Sequence, residues 1–213
     1  APDTSSSNNL LTWSSTLPDL PWSEYEAEEI LKLFSQRDIQ LYTHSQANRD
    51  NFMQWQTRNA DILHVSTHHF FDPSQLDNVG FTLSTTNEFG GIDPGFVGKE
   101  EITHYRFNND LVVINGCGSA LGGHSAGVAM MGVSNAFLSA GVNNVVSTLW
   151  PVSDRASATF SVYFYQALKQ GMHYDAALRE AQSKMKQSPR FRHPFYWAGY
   201  TLSTARFSPD FTA

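Results

Sequence analysis

The chain has 213 residues, 41% of them hydrophobic, with 15 Phe, 8 Tyr and 5 Trp, enough for one large α/β domain with a substantial core. Its 20 acidic and 14 basic residues give a formal charge of −6, and the basic ones are scattered singly, which argues against direct nucleic-acid binding and favours a cationic peptide as partner. A single cysteine excludes an internal disulfide and fits a reducing, cytoplasmic setting; no apolar run approaches the ~20 residues of a membrane span, and the polar start lacks the features of a secretory signal.

Residues 1–9 read as a polar linker or tail and 10–213 as a single domain. The opening APDTSSSNN looks like a cut linker, so a domain taken from a longer protein is expected. Leu10–Ser14 is a candidate strand. Ser23 and Glu26 have capping-box spacing ahead of an apolar helical pattern over Tyr25–Phe34. Ile39–Thr43 reads as a short strand, and Arg49–Arg58 as a helix closed by Asn59.

Two β-branched apolar runs dominate, Asp61–Thr67 and Leu111–Cys117, both without clean alternation. Such runs suit central strands of a parallel sheet covered on both faces. Each ends in a polar cluster: Thr67, His68 and His69 in the first, Asn115 to Ser119 in the second. Beyond the C-terminal strand ends of open α/β sheets is where ligands bind, so the two clusters are expected to face each other there. Between the runs, Phe70–Asn109 is rich in Gly, Asn, Asp and Thr and reads as loops with a weak hairpin at Gly80–Ser84. Further on come a small-residue helix at Gly127–Ala140 with Gly141 after it, a buried strand at Asn144–Trp150, and a helix capped by Ser153 and closed by Gly171. A helix at His173–Gln187 and a last strand at Phe195–Leu202 complete the chain. The order of elements argues a doubly wound sheet with helices on both faces.

Cys117 is either a small buried hydrophobe or a working thiol. A cysteine nucleophile needs a group to take its proton, and His68 or His69 stands 49 or 48 residues upstream, near the ~50 that separate the pair in one class of cysteine protease. Gly116 and Gly118 leave room beside the thiol for a peptide backbone. His64 falls inside its strand, where a hydrogen-bonded core histidine is expected. A metal site from His64, His68, His69 and His124 has no supporting Cys-x-x-Cys or His-Glu-x-x-His spacing. Gly123-His124-Ser125-Ala126-Gly127 is a G-x-S-x-G sequence, and a Ser125 esterase with Asp154 or Asp175 and His193 is the competing reading. That elbow, however, requires the serine directly between strand and helix, and several residues separate it from the strand.

Five ordered blocks carry a family resemblance: LPDLPWSEYEAEEI from Leu17, ADILHVSTHHFFD from Ala60, DLVVINGCGSALGG from Asp110, VSNAFLSAGVNNVVSTLWPVSD from Val133 and HPFYWAGYTL from His193. Together they resemble the CHAT family, caspase-like domains found with TPR repeats and distantly related to separase. The resemblance implies a caspase/separase-like sandwich and a cysteine endopeptidase with His68 and Cys117 as the catalytic dyad. It implies an oxyanion site from the backbone N–H groups of His69 and Cys117, and Asp154 as a substrate-binding residue favouring a basic P1 side chain. Ser153-Asp154 is also a good helix cap and dipole partner. No metal or organic cofactor is implied. The partners implied are a protein substrate and a gating TPR-type domain or protein, often in prokaryotic defence or signalling. The family usually carries Gly where this chain has His69, so an inactive interaction module is the alternative, and a positive φ there would strain His69.

Overall fold

The computed structural model describes residues 20–34, 39–56, 60–72, 75–86, 90–92, 95–115 and 126–205. The chain enters at helix α1 (Pro21–Leu33) and, after a 3₁₀ turn at His44–Gln46, forms α2 (Arg49–Gln56). Strand β1 (Ile62–Ser66) follows, then β2 (His68–Asp72), β3 (Gln75–Thr82), β4 (Phe96–Gly98) and α3 (Lys99–His104). Next come β5 (Leu111–Asn115), α4 (Ala126–Ser139), β6 (Asn144–Thr148), α5 (Asp154–Lys169), α6 (Tyr174–Gln187) and β7 (Tyr200–Thr204).

The main sheet has the order β1-β5-β6-β7; β1, β5 and β6 run parallel, and β7 is antiparallel to β6. Successive residues of β5 point to opposite faces, and all five are buried. Val112 and Ile114 pack with Leu63, Val65, Phe81, Phe107 and Phe137 on one face. Leu111 and Val113 pack with Val146, Phe160, Phe164 and Met185 on the other. Both faces are therefore covered, as the uninterrupted apolar runs require. The expected α/β sandwich of helices around a mostly parallel sheet is the fold observed.

The helix ends follow local chemistry. Ser153 Oγ accepts from Ala156 N–H at the start of α5, and Gly171 takes φ +82° after it. Gly141, at φ +111°, lets the chain turn after α4, where a Cβ would lie 2.7 Å from the Phe107 carbonyl oxygen.

Four expectations need correction. Ser23 and Glu26 form no capping box: Pro21 starts the helix two residues earlier, Ser23 Oγ donates to Leu20 O at 2.7 Å, and the Glu26 side chain turns into the protein. Ile39–Thr43 does not form a strand with any partner among the described residues. Phe70–Asn109 is more ordered than loops with one hairpin: β2, β3 and β4 make a three-stranded antiparallel sheet and α3 follows. Phe81 and Val97, both wholly buried, anchor that sheet on the main core despite its polar composition. The last strand lies at Tyr200–Thr204, because His193 Nδ1 accepts from Phe195 N–H and starts a 3₁₀ turn at Pro194–Tyr196 where a strand was expected. The Leu10–Ser14 strand, Asn59 and the end of the Leu111–Cys117 run fall outside the described residues.

Candidate active site

The C-terminal tips of β1 and β5 are level with each other. Ser66 pairs with Asn115 in the parallel ladder, and Thr67 N–H donates to the Asn115 carbonyl at 3.0 Å. The chain then bends at Thr67, whose hydroxyl donates to the Thr82 carbonyl, and His68 opens β2. Gly116, Cys117, Gly118, His124 and Ser125 lie outside the described residues, so the thiol and the G-x-S-x-G serine have no described position.

His68 and His69 are in different surroundings. His69 is 8% exposed with its ring edge-on to Phe81 at 6.4 Å, and neither ring nitrogen has a hydrogen-bond partner among the described residues. Burial, helped by the neighbouring His68, pulls its pKa down to about 4, so it is neutral at pH 7. Among the described non-glycine residues only His44 has a positive φ, so the imidazole at position 69 brings no left-handed strain. His68 is half-buried and lies close enough to Asp154 to oppose the rise of that carboxyl's pKa. Of the two, His68 shares a neighbourhood with Asp154.

Asp154 begins α5, and its Oδ2 accepts the Trp22 N–H at 2.9 Å, capping α1 from across the chain. Burial raises its pKa, as does Glu26, while the Trp22 N–H and His68 oppose the rise. Beside it, Arg155 stacks on the Trp22 ring at 4.3 Å.

Beneath the strand tips is a polar network that motif reasoning missed. Glu26, 1% exposed, accepts from Ser66 Oγ at 2.7 Å and from the Asn115 side-chain amide, which also donates to Ser161 Oγ. His64 Nε2 stands 3.2 Å from Glu26 Oε1, at ion-pair distance but off line for a good hydrogen bond, and its Nδ1 is 3.0 Å from Tyr165 Oη. Burial alone would raise the Glu26 pKa; facing His64 and the hydroxyls of Ser161 and Ser66 outweigh it and hold the carboxyl below its usual value. His64 is thus the bonded core histidine its mid-strand position suggests. The signal for Glu26 was present in the sequence: Glu26, Ile30 and Leu33 fall at i, i+4 and i+7, an acid on the buried stripe of a helix.

A cleft of about 1300 Å³ runs from His68 along the outer edge of β1, walled by α1, by residues 39–42 and by residues 82–85. Among the described residues no three His, Cys, Asp or Glu side chains converge to hold a metal ion. No helix among them is long and apolar enough to cross a membrane.

Comparison with known proteins matches a family model for the CHAT domain to residues 2–205. Mouse tetratricopeptide repeat protein 28 is 36% identical over 102 residues, 48% of this chain but 4% of that protein. Human tetratricopeptide repeat protein 28 is 41% identical over 73 residues, 34% of this chain and 3% of that protein. The chain therefore corresponds to a small part of these TPR-containing relatives. With the family model spanning nearly its full length, this chain belongs to the CHAT domain family.

Proposed function

We propose that this domain is a cysteine endopeptidase of the caspase type, working in the cytoplasm under the control of TPR-type domains or partners. The observation that carries the reading is the register of the two strand tips. Ser66 and Asn115 are Cα partners, and His68 and Cys117 each follow two residues later in the sequence. Neighbouring strands are ~4.8 Å apart, a span an imidazole and a thiol can close.

In this reading His68 takes the thiol proton and Cys117 attacks the scissile carbonyl; His68 then returns the proton to the departing amine as the C–N bond breaks, and water hydrolyses the resulting thioester. Backbone N–H groups of His69 and Cys117 hold the oxyanion, each such donor being worth ~3 kcal/mol. The role at position 69 needs only the main chain, and the unstrained backbone there supports it. Asp154, half-buried beside His68, is the residue to receive a basic P1 side chain.

Within the full parent protein, a peptidyl chloromethyl ketone with P1 Arg is expected to label Cys117. Cys117→Ala should abolish cleavage of a co-expressed partner while leaving the circular dichroism spectrum unchanged. Equal alkylation of Cys117 in the intact protein and in His68→Ala would overturn the dyad. Ester turnover that survives Cys117→Ala but not Ser125→Ala would replace it with the serine reading.

A further inference from the structure

We propose that Glu26 is a positioning residue for the active site: from α1, its carboxylate ties the tip of β1 to the tip of β5 and so sets the relation between His68 and Cys117. The inference rests on the cysteine-peptidase reading above and adds to it a residue that acts through the two strands, not on the substrate.

Oε2 of Glu26 accepts from Ser66 Oγ at 2.7 Å, and Oε1 accepts from the side-chain amide of Asn115. Ser66 and Asn115 are the last residues of β1 and β5 and are Cα partners in the ladder, so one carboxylate spans the pair. A carboxylate is planar, with two acceptor oxygens, so the donors bound to them are held at a fixed spacing. Just past this pair, Thr67 N–H donates to Asn115 O, and the chain then turns away into β2. Glu26 therefore braces the two strands at the point where the chain of β1 leaves the main sheet.

The brace is itself anchored. His64 Nε2 stands 3.2 Å from Glu26 Oε1, and His64 Nδ1 lies 3.0 Å from Tyr165 Oη on α5. Asn115 donates in addition to Ser161 Oγ on the same helix. In the first turn of α1, Trp22 N–H is bonded to Asp154 at the start of α5. For stability alone an acid is a poor choice at 1% exposure, since apolar side chains packed in place of a buried ion pair are often as good or better. Proton transfer supplies a reason for it: a base must lie within ~2.6–3.2 Å of the group it deprotonates, and a ~1 Å misplacement caused by a distant change can cost ~100-fold.

Alkylation by iodoacetamide in the full parent protein, read at Cys117 by mass spectrometry as a function of pH, tests the assignment. Its rate below pH 7 reports whether an imidazole holds the thiolate. The dyad requires the unaltered protein to react faster than His68→Ala at pH 6.5. Glu26→Ala should lose at least roughly tenfold of that rate at pH 6.5 and approach the unaltered rate near pH 9, where the thiol ionises unaided. Ser66→Ala frees the tip of β1 alone and should show a smaller loss of the same form, which keeps the test open should Glu26→Ala fail to fold. Glu26→Gln can still accept from Asn115 and donate to Ser66, and should restore most of the rate. Gly141→Ala, altered ahead of β6 and away from the strand tips, should keep the unaltered profile. Unaltered profiles in Glu26→Ala and Ser66→Ala would overturn the positioning role and leave the dyad standing. A loss that Gly141→Ala reproduces would overturn it too, since general destabilisation would then account for the effect. Equal rates in the unaltered protein and in His68→Ala would overturn both readings.

Discussion

Trp22 and Asp154 join the starts of two helices: the Trp22 N–H donates to Asp154 Oδ2 at 2.9 Å, so one carboxylate serves the first turns of both α1 and α5. This contact separates two roles that the sequence left superposed on Asp154. Asp154→Asn keeps an acceptor for Trp22 and removes the charge, whereas Asp154→Ala loses both. Urea denaturation should show Asn within ~0.5 kcal/mol of the parent and Ala about 1 kcal/mol less stable, the usual cost of a lost cap. If Asp154 also reads a basic P1 residue, peptide-library profiling of Asp154→Asn will show that preference gone at unchanged stability.

Glu26 links the last residues of β1 and β5 to α1. Glu26→Ala leaves Ser66 and Asn115 without their shared acceptor and His64 without its facing carboxylate, and should cost about 3 kcal/mol or more in chemical denaturation. The pH dependence has a definite sign. Because the folded-state pKa is depressed, the carboxylate's contribution is complete above the ordinary value of 4.5 and is lost as pH falls through the lower folded value. The stability gap between the intact protein and Glu26→Gln should therefore narrow on acidification below that point.

His69 adds to the same loss on acidification, although here it is the neutral form that the folded protein keeps. The folded state holds it near pKa 4, while an ordinary histidine titrates at 6.5, so only the unfolded chain gains this proton between those values. Stability from this group is full above pH 6.5 and declines as pH drops toward 4, at about 1.4 kcal/mol per unit. At pH 5 the intact protein should have lost about 2 kcal/mol on this account, and His69→Leu should be spared that part of the loss. Denaturation at pH 7.5 and pH 5 measures it. Since the proposed catalytic duty of position 69 is main-chain only, His69→Leu should also retain labelling at Cys117.

Gly141→Ala should destabilise by roughly 1–2 kcal/mol in thermal unfolding, since it places a side chain in a left-handed conformation. The added Cβ would meet the Phe107 carbonyl oxygen at 2.7 Å.

What the sequence made legible was whatever depended on short-range patterns. The runs ending at Ser66 and Asn115 announced central parallel strands because burial on both faces removes alternation, and Ser153 and Gly171 marked the ends of α5 by cap chemistry. The β2–β4 sheet was obscured because its Gly, Asn and Asp content resembles a loop, while its few anchors, Phe81 and Val97, count only once packed against the core. Glu26 was assigned to a cap because its true partners, Ser66 and Asn115, lie 40 and 89 residues away in sequence. The strand expected at Ile39–Thr43 reflects the same blindness: β propensity there is real, but that segment has no ladder partner among the described residues, and pairing is a tertiary matter.

Thr67 is the single residue between two sheets, bonded through its N–H to Asn115 in one and through its hydroxyl to Thr82 in the other. It is a mitre joint: the angle at which the small sheet leaves the large one is set there, and His68 is the next residue on the far side. As the first residue of β2, His68 belongs to the small sheet, so the placement of its imidazole against the tip of β5 depends on the bend at Thr67.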